Sequence, residues 1–516
     1  MADNIFDGST SNDWNTSSNW SLGAVPTASD GHVVVFDASS PNCTLGSTNR
    51  VCNQLMMSAY TGTLTFGVRS LTVSGNITLG SGHTFSSTTG GLAINSSGNI
   101  TTNGYTIPTN FQFAGTSKTY TLQDDLTILG ALSFNGVTSL TINNNGTDKT
   151  IYAVGSVSSS AAGAQGTANI KMIGTGTIGT TGAIRSNLEF DASGNTITIN
   201  TSFRYGGGTL KYTSGVMDVT TNNSQFFLGL AGVTTTQIDT SGMTWLNISN
   251  PAGTNTLVSD LNVSGQYSSS AAVTFNSGGG HIRMVQSTPY NIIFGGSQTH
   301  QGTAKIIFNG TDCQWVGSTG IVQNSIDIDG TLTITNNCNW RIATMTHISG
   351  TVSGTGKIYT TSIATWNTSG CTFPNVEITT SNQTLNSTLN VGTLTLGAGG
   401  GVNFLGSYGF NVDHLIHTTT NRGITLKAGN TYTVNQSLLM RGSGAPSSST
   451  NSVTLQSDTT FSYAYFNVAT GATSNCMWVR AIDIDSTGGR ELYTSNGLVS
   501  RSLNWVRTNP NAFAFF

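Results

Sequence analysis

Apolar residues recur at every second position through this chain, in short runs such as Gly62-Thr-Leu-Thr-Phe66, Ser70-Leu-Thr-Val-Ser74 and Asn195-Thr-Ile-Thr-Ile199. A period of two puts successive side chains on opposite faces of a strand, so each run has one apolar face and one face of Thr, Ser or Asn. Gly, Asn-Gly and Gly-Ser punctuate the runs, and no 3.6-residue stripe is sustained anywhere. The expected fold class is all-β, with few and short helices.

Composition narrows the field further. Of 516 residues only 19 are Lys or Arg and 22 Asp or Glu, which is 8% charged against roughly 25% in an average globular domain. Ser, Thr and Asn together number 194 and Gly 63, whereas Glu occurs only at Glu189, Glu377 and Glu491. A helix-rich enzyme draws on Ala, Glu, Lys and Leu, which lose least freedom in a helix, so that class is excluded. Disorder is excluded too, because 36% of the residues are hydrophobic and they alternate regularly.

The formal net charge of −3 and a pI near 6.1 supply no basic field for a phosphate backbone, so nucleic acid is not an expected partner. No run approaches the roughly 18 apolar residues of a membrane span, so membrane insertion is not expected. Met1-Ala-Asp-Asn4 lacks the basic and apolar segments of a secretory leader, and synthesis without a signal peptide is the expectation.

A motif of the form apolar-x-apolar-x-Gly recurs as Leu71-Thr-Val-Ser-Gly75, Leu126-Thr-Ile-Leu-Gly130, Leu261-Asn-Val-Ser-Gly265 and Ile326-Asp-Ile-Asp-Gly330. Looser copies begin at Leu389 and Leu438, and a degenerate one is Leu188-Glu-Phe-Asp191. Most copies follow another alternating strand, as in Phe111-Gln-Phe113, Leu246-Asn-Ile248, Ile306-Ile-Phe308 and Val376-Glu-Ile378. Irregular modules of about 50 to 65 residues made of short strands cannot bury their apolar faces alone, so they stack. The expected architecture is a β-solenoid of the parallel β-helix type, with coils of about 20 to 30 residues. A string of small β-sandwich domains is the alternative, since it also gives evenly spaced short strands.

The ends differ from the middle. Residues 1–50 carry Trp14, Trp20, Pro26 and the run His32-Val-Val-Val-Phe36, and residues 472–516 carry Trp478, Trp505 and Asn511-Ala-Phe-Ala-Phe-Phe516. They are expected to be an N-terminal cap or anchor and a C-terminal cap or interaction region around a repetitive solenoid over 51–471, because exposed sheet edges template aggregation.

Candidate chemistry is sparse. Glycoside cleavage needs two carboxyl groups about 5 to 10 Å apart, and Asp327/Asp329 and Asp483/Asp485 qualify by spacing. In each Ile-Asp-Ile-Asp run the alternation points Ile inward and both Asp outward, which suits a solvated face as well as a catalytic or calcium site. Asp124-Asp125 reads as turn punctuation. His414 and His417 face opposite sides of a strand, which argues against shared metal ligation. No nucleophile elbow, P-loop or helix-opening GxGxxG is present, and the Gly triplets at 206–208, 278–280 and 399–401 read as tight turns. No cofactor is expected. Trp245, Trp315, Trp340 and Trp366 lie within alternating segments, where packing competes with stacking on sugar rings. The six Cys are scattered; they read as small buried hydrophobes, with a Cys43–Cys52 disulfide as the alternative.

The opening Asp13-Trp14, Asn19-Trp20-Ser21, Val25-Pro26-Thr-Ala-Ser-Asp30 and Val34-Val-Phe36, with the closing Val479-Arg-Ala-Ile-Asp-Ile-Asp485, Gly488-Gly489, Ser495-Asn-Gly497 and Asn504-Trp505, resemble β-helical structural proteins of tailed bacteriophages. Related repeats occur in bacterial surface adhesins. The resemblance implies a virion component made in the host cytoplasm, a tail fibre, tail spike or head fibre, often a homotrimer held by other virion proteins and contacting host surface glycans. It implies no catalytic residue set at any position here. A capsid decoration protein, a polysaccharide-depolymerase spike and a bacterial adhesin are the alternatives.

Overall fold

The computed structural model describes residues 1–508 apart from 136–139, 147, 161–163, 230–235, 250, 270–271, 289, 295–298, 317–319, 361–363, 380–381, 398–400 and 444–450. Gly399 and Gly400 and the run from Asn511 to Phe516 therefore lie outside the described residues. Two compact units divide the chain, Met1–Leu261 and Asn262–Phe516.

The first unit is a stack of three-sided coils. One side carries Ser70–Val73, Gly91–Ile94, Asn110–Ala114, Leu132–Asn135 and Val157–Ser159, each paired in parallel with the next. Ile77–Thr78, Gly98–Thr101, Thr119–Leu122 and Leu140–Asn144 form the second side. The third holds Thr106–Ile107, Leu126–Ile128, Thr150–Ala153, Asn169–Met172 and the first half of Leu188–Ile199. Parallel pairing across short loops excludes the sandwich alternative, whose strands run antiparallel. The one antiparallel contact described is the isolated bridge of Phe6 with Trp20.

Register shows why the coils stack. Leu92 pairs with Leu71 and with Phe111, Phe111 with Leu132, Leu132 with Val157 and Val157 with Ile178. All six are essentially fully buried, so each coil lays its apolar residues directly on those of the last. Burying each such side chain contributes about 1.5–3 kcal/mol relative to leaving it in water. An aromatic column runs Phe36, Tyr60, His83, Tyr105, with ring centroids 5.0, 6.2 and 4.0 Å apart. At its beginning Phe6, Trp14 and Trp20 pack on Phe36 at 5.4, 5.9 and 6.0 Å. Ser17–Asn19, the single helical turn among the described residues, presents buried Asn19 to bond the backbone of Thr10, Ser11 and Asp13.

The second unit repeats the plan. Ile306 pairs with Ile326, Ile326 with Met345, Met345 with Trp366 and Trp366 with Leu385, all parallel and all fully buried. Two sides often merge into one long strand, as in Leu389–Leu396 and Phe410–His417. Thr473–Met477, Leu492–Ser495 and Trp505–Thr508 form a parallel ladder late in this unit. Trp245, Trp315, Trp340 and Trp366 are all buried, so they are packing residues. Both Cys43 and Cys52 are buried free thiols on different sides of their coils, and burial pushes each well above the ordinary thiol pKa.

The coil is the stacking unit, and the sequence motif marks particular coils at various sides. Leu71 and Leu126 lie in strands on two sides of the first unit, and Ile326 opens one in the second. Its glycine has a common cause. A Cβ on Gly75, Gly130 or Gly330 would sit 2.9 Å from Asn53 O, 2.5 Å from Thr109 O or 2.4 Å from Gly310 O, the backbone of the preceding coil. No side chain larger than hydrogen fits where two coil corners touch.

Candidate functional site

The four carboxylates singled out from sequence are not gathered into one site. Asp327 departs from the expected outward, solvated position: it is 5% exposed, between Ile307 and Thr346 of the adjacent coils. Lys305 of the preceding coil lies over it, Nζ to Oδ2 2.7 Å. The register shifts at this point, with Ile328 opposite His347 and Asp329 opposite Ser349, so that Ile348 of the adjacent coil is the bulged residue; Asp329 accepts a hydrogen bond from Ser349 Oγ at 2.9 Å. Asp483 inverts the expected pattern. It sits at a corner with φ +53 and is buried, while Ile482 is half-buried. The reason is Arg501, whose Nε and Nη2 donate to its two oxygens at 2.6 and 2.8 Å and hold the carboxyl below the usual carboxylate range. Asp485 accepts from the backbone N–H and hydroxyl of Thr487 at 2.8 and 2.6 Å, a local turn.

Asp124 and Asp125 do sit in a turn, accepting from the backbone N–H groups of Thr102 and Thr150 on neighbouring coils at 2.8 and 3.0 Å. His414 is half-buried and His417 buried, on opposite faces as expected. Gly207 and Gly279 take φ of +137 and +129, as turns demand. Among the described residues no group of three or more His, Cys, Asp or Glu is arranged to hold a metal ion, and no helix is long and apolar enough to cross a membrane.

What the sequence reading missed is a groove on the third side of the first unit. Four successive coils each contribute two outward residues: Thr150 and Tyr152, Asn169 and Lys171, Asn187 and Glu189, Thr209 and Lys211. They enclose about 460 Å³. Three of the four second members form a charged column in strict register beside Tyr152, in which Lys171 pairs with Glu189 and Glu189 with Lys211. Lys171 Nζ is 2.7 Å from Asp191 and 3.5 Å from Glu189, and Lys211 Nζ is 3.5 Å from Glu189.

These contacts set the charge states. The bond to Asp191, followed by the field of Glu189, raises the Lys171 ammonium above its usual pKa. Burial works to raise Glu189, but the Thr213 hydroxyl and the two lysines outweigh it and the carboxyl titrates below its usual range. The first members form an amide and hydroxyl wall: Asn187 Nδ2 donates to Asn169 Oδ1 at 2.9 Å, and Thr209 N–H donates to Asn187 Oδ1 at 2.9 Å. A second depression of about 280 Å³ on the same unit, between Asn135 and Ser202, is lined by Ser, Thr, Asn and Gly alone.

One signal could have revealed the groove. Lys171, Glu189 and Lys211 are spaced by one coil each, and charges are so scarce here that such spacing marks a column. No family model, curated protein or solved structure matches the chain.

Proposed function

We propose that this chain is a bacteriophage virion structural protein, a tail-fibre or spike-type appendage that assembles as a homotrimer and contacts the host cell surface. The observation that carries the reading is how the coils divide their residues: apolar side chains stack inside, hydroxyl and amide side chains face out, and scarce charges are tied coil to coil. A surface of this kind stays hydrated and hydrogen-bonds to glycans with little dependence on ionic strength. The resemblance of both ends to phage β-helical proteins supports it.

The alternative of a depolymerase spike draws less support, because Asp327 and Asp483 are committed to Lys305 and Arg501. The test is gold-labelled antibody on purified particles, with the mass of the purified chain in solution. The expected result is label on appendages and a species of three times 53.7 kDa. Label on the capsid shell with a monomer in solution would make it a decoration protein, and label on bacterial surfaces in place of particles would make it an adhesin.

A further inference from the structure

The geometry points to the groove of Tyr152, Lys171, Glu189 and Lys211 as a binding site for a neutral linear oligosaccharide lying along the stacking direction of the coils. This deepens the attachment role above and rests on it for the origin of the glycan, while the groove's own chemistry is open to a separate test.

Dimensions come first. Adjacent parallel strands stand about 4.8 Å apart, so four coils span about 14 Å, the length of a short oligosaccharide. A ligand repeating along that axis meets an equivalent pair of side chains at each coil. The walls then set the chemistry. Asn169 and Asn187 are locked together by a 2.9 Å bond and offer amide groups held in place before any ligand arrives, which lowers the ordering cost of binding. Tyr152, half-buried beside Lys171 in the lining, brings to the groove an aromatic ring, the kind of surface on which the C–H face of a pyranose packs, and a hydroxyl that can bond its edge. Glu189 supplies acceptors for sugar hydroxyls, and Lys211, with a side chain 48% exposed, supplies a donor.

Charge decides between neutral and acidic glycans. The two lysines are balanced by Glu189 and Asp191, so the groove has no surplus positive charge to repay the desolvation of a uronate or sialate. Sites of this kind, concave with a few fixed polar groups, are where small ligands bind.

The test uses the full chain on an array of immobilised linear oligosaccharides, with neutral hexose and N-acetylhexosamine series beside uronic and sialic acid series. Calorimetry follows with the best-bound neutral trisaccharide. The expected result is binding to at least one neutral series, weakened about tenfold or more in Tyr152→Ala and in Glu189→Gln. Each variant's thermal midpoint should stay within about 2 °C of the parent, as for surface substitutions generally. Should Tyr152→Ala fail to fold, Tyr152→Leu keeps the bulk without the ring and should show the same loss.

Binding to acidic series alone, no binding to any neutral series, or equal affinity in the variants would each overturn the assignment. Glycan binding by a chain absent from particles would remove the appendage role and leave the groove. Labelled appendages whose chain binds no glycan would do the reverse.

Discussion

The ion-paired residues of this protein tie one coil to the next. The described ion pairs join residues 18 to 31 positions apart, from Lys171–Glu189 and Asp483–Arg501 at 18 to Lys427–Asp458 at 31, which is one coil in each case. The bidentate geometry at Asp483 makes it the strongest of them, because both carboxylate oxygens are used and the group is buried. Replacing Asp483 by Asn leaves Arg501 without its carboxylate and should cost about 1–2 kcal/mol. Asp485→Asn, which changes only a local turn, should cost less than about 1 kcal/mol. Urea unfolding followed by circular dichroism compares the two, and equal midpoints would show that the Arg501 fork contributes nothing. The pairing was readable in part: Lys and Asp or Glu one coil apart is a sequence pattern. Its partner choice was not, since the two Asp of Ile-Asp-Ile-Asp look equivalent until the chain bends between them.

At the scale of the strand and its turn, the motif Gly is a consequence of stacking. Gly330 does not take a left-handed φ, and its constraint is that a Cβ would lie 2.4 Å from Gly310 O of the coil beneath. Gly330→Ala should therefore cost about 1–3 kcal/mol through overpacking. Gly471, in a turn where an added Cβ would meet nothing within 4 Å, should tolerate Ala with no loss or a gain of about 0.4–1 kcal/mol, because Ala restricts the unfolded chain. Thermal unfolding of the two variants checks the contrast, and parity between them would refute the corner-contact account. The alternating strands themselves were legible, as Leu71-Thr-Val73 and Leu126-Thr-Ile128 show. Which side of the coil each strand would occupy was not, because that depends on turn geometry summed around the coil.

At the scale of the whole chain, each unit carries His residues into its stacked interior. His83 is packed between Tyr60 and Tyr105, and His300 receives or donates hydrogen bonds at 2.6 Å with Tyr267 and 2.7 Å with Asn324. Burial pushes each imidazole down to about 4 from an ordinary value of 6.5. In the unfolded chain each binds a proton as pH drops below about 6.5, while the folded chain resists until about 4. Stability should thus be level above pH 6.5 and fall between 6.5 and 4, by about 3 kcal/mol for the fully buried His300. Unfolding midpoints measured from pH 8 to 4 check this. His300→Gln should flatten the part of the slope that His300 supplies, and an unchanged slope would show that it supplies none.

Alternation, Gly punctuation and the near-absence of Glu and Lys settled by themselves that this chain is all-β, because a period of two with one apolar face has no stable home except a sheet whose face is covered; that the strands stack as parallel coils and do not form sandwiches was decided by their pairing. The aromatic residues at its beginning were legible for the same reason: Trp14 and Trp20 are too large to leave in water. Beyond the one-coil spacing of some scarce charges, the fate of individual polar groups was decided by the tertiary structure. Residues about 20 apart become neighbours when a coil closes, so Asp327 meets Lys305, Asp483 meets Arg501, and Tyr152, Lys171, Glu189 and Lys211 line one groove. No local property of the sequence carries that register, since coil length is set by the turns and varies from one coil to the next.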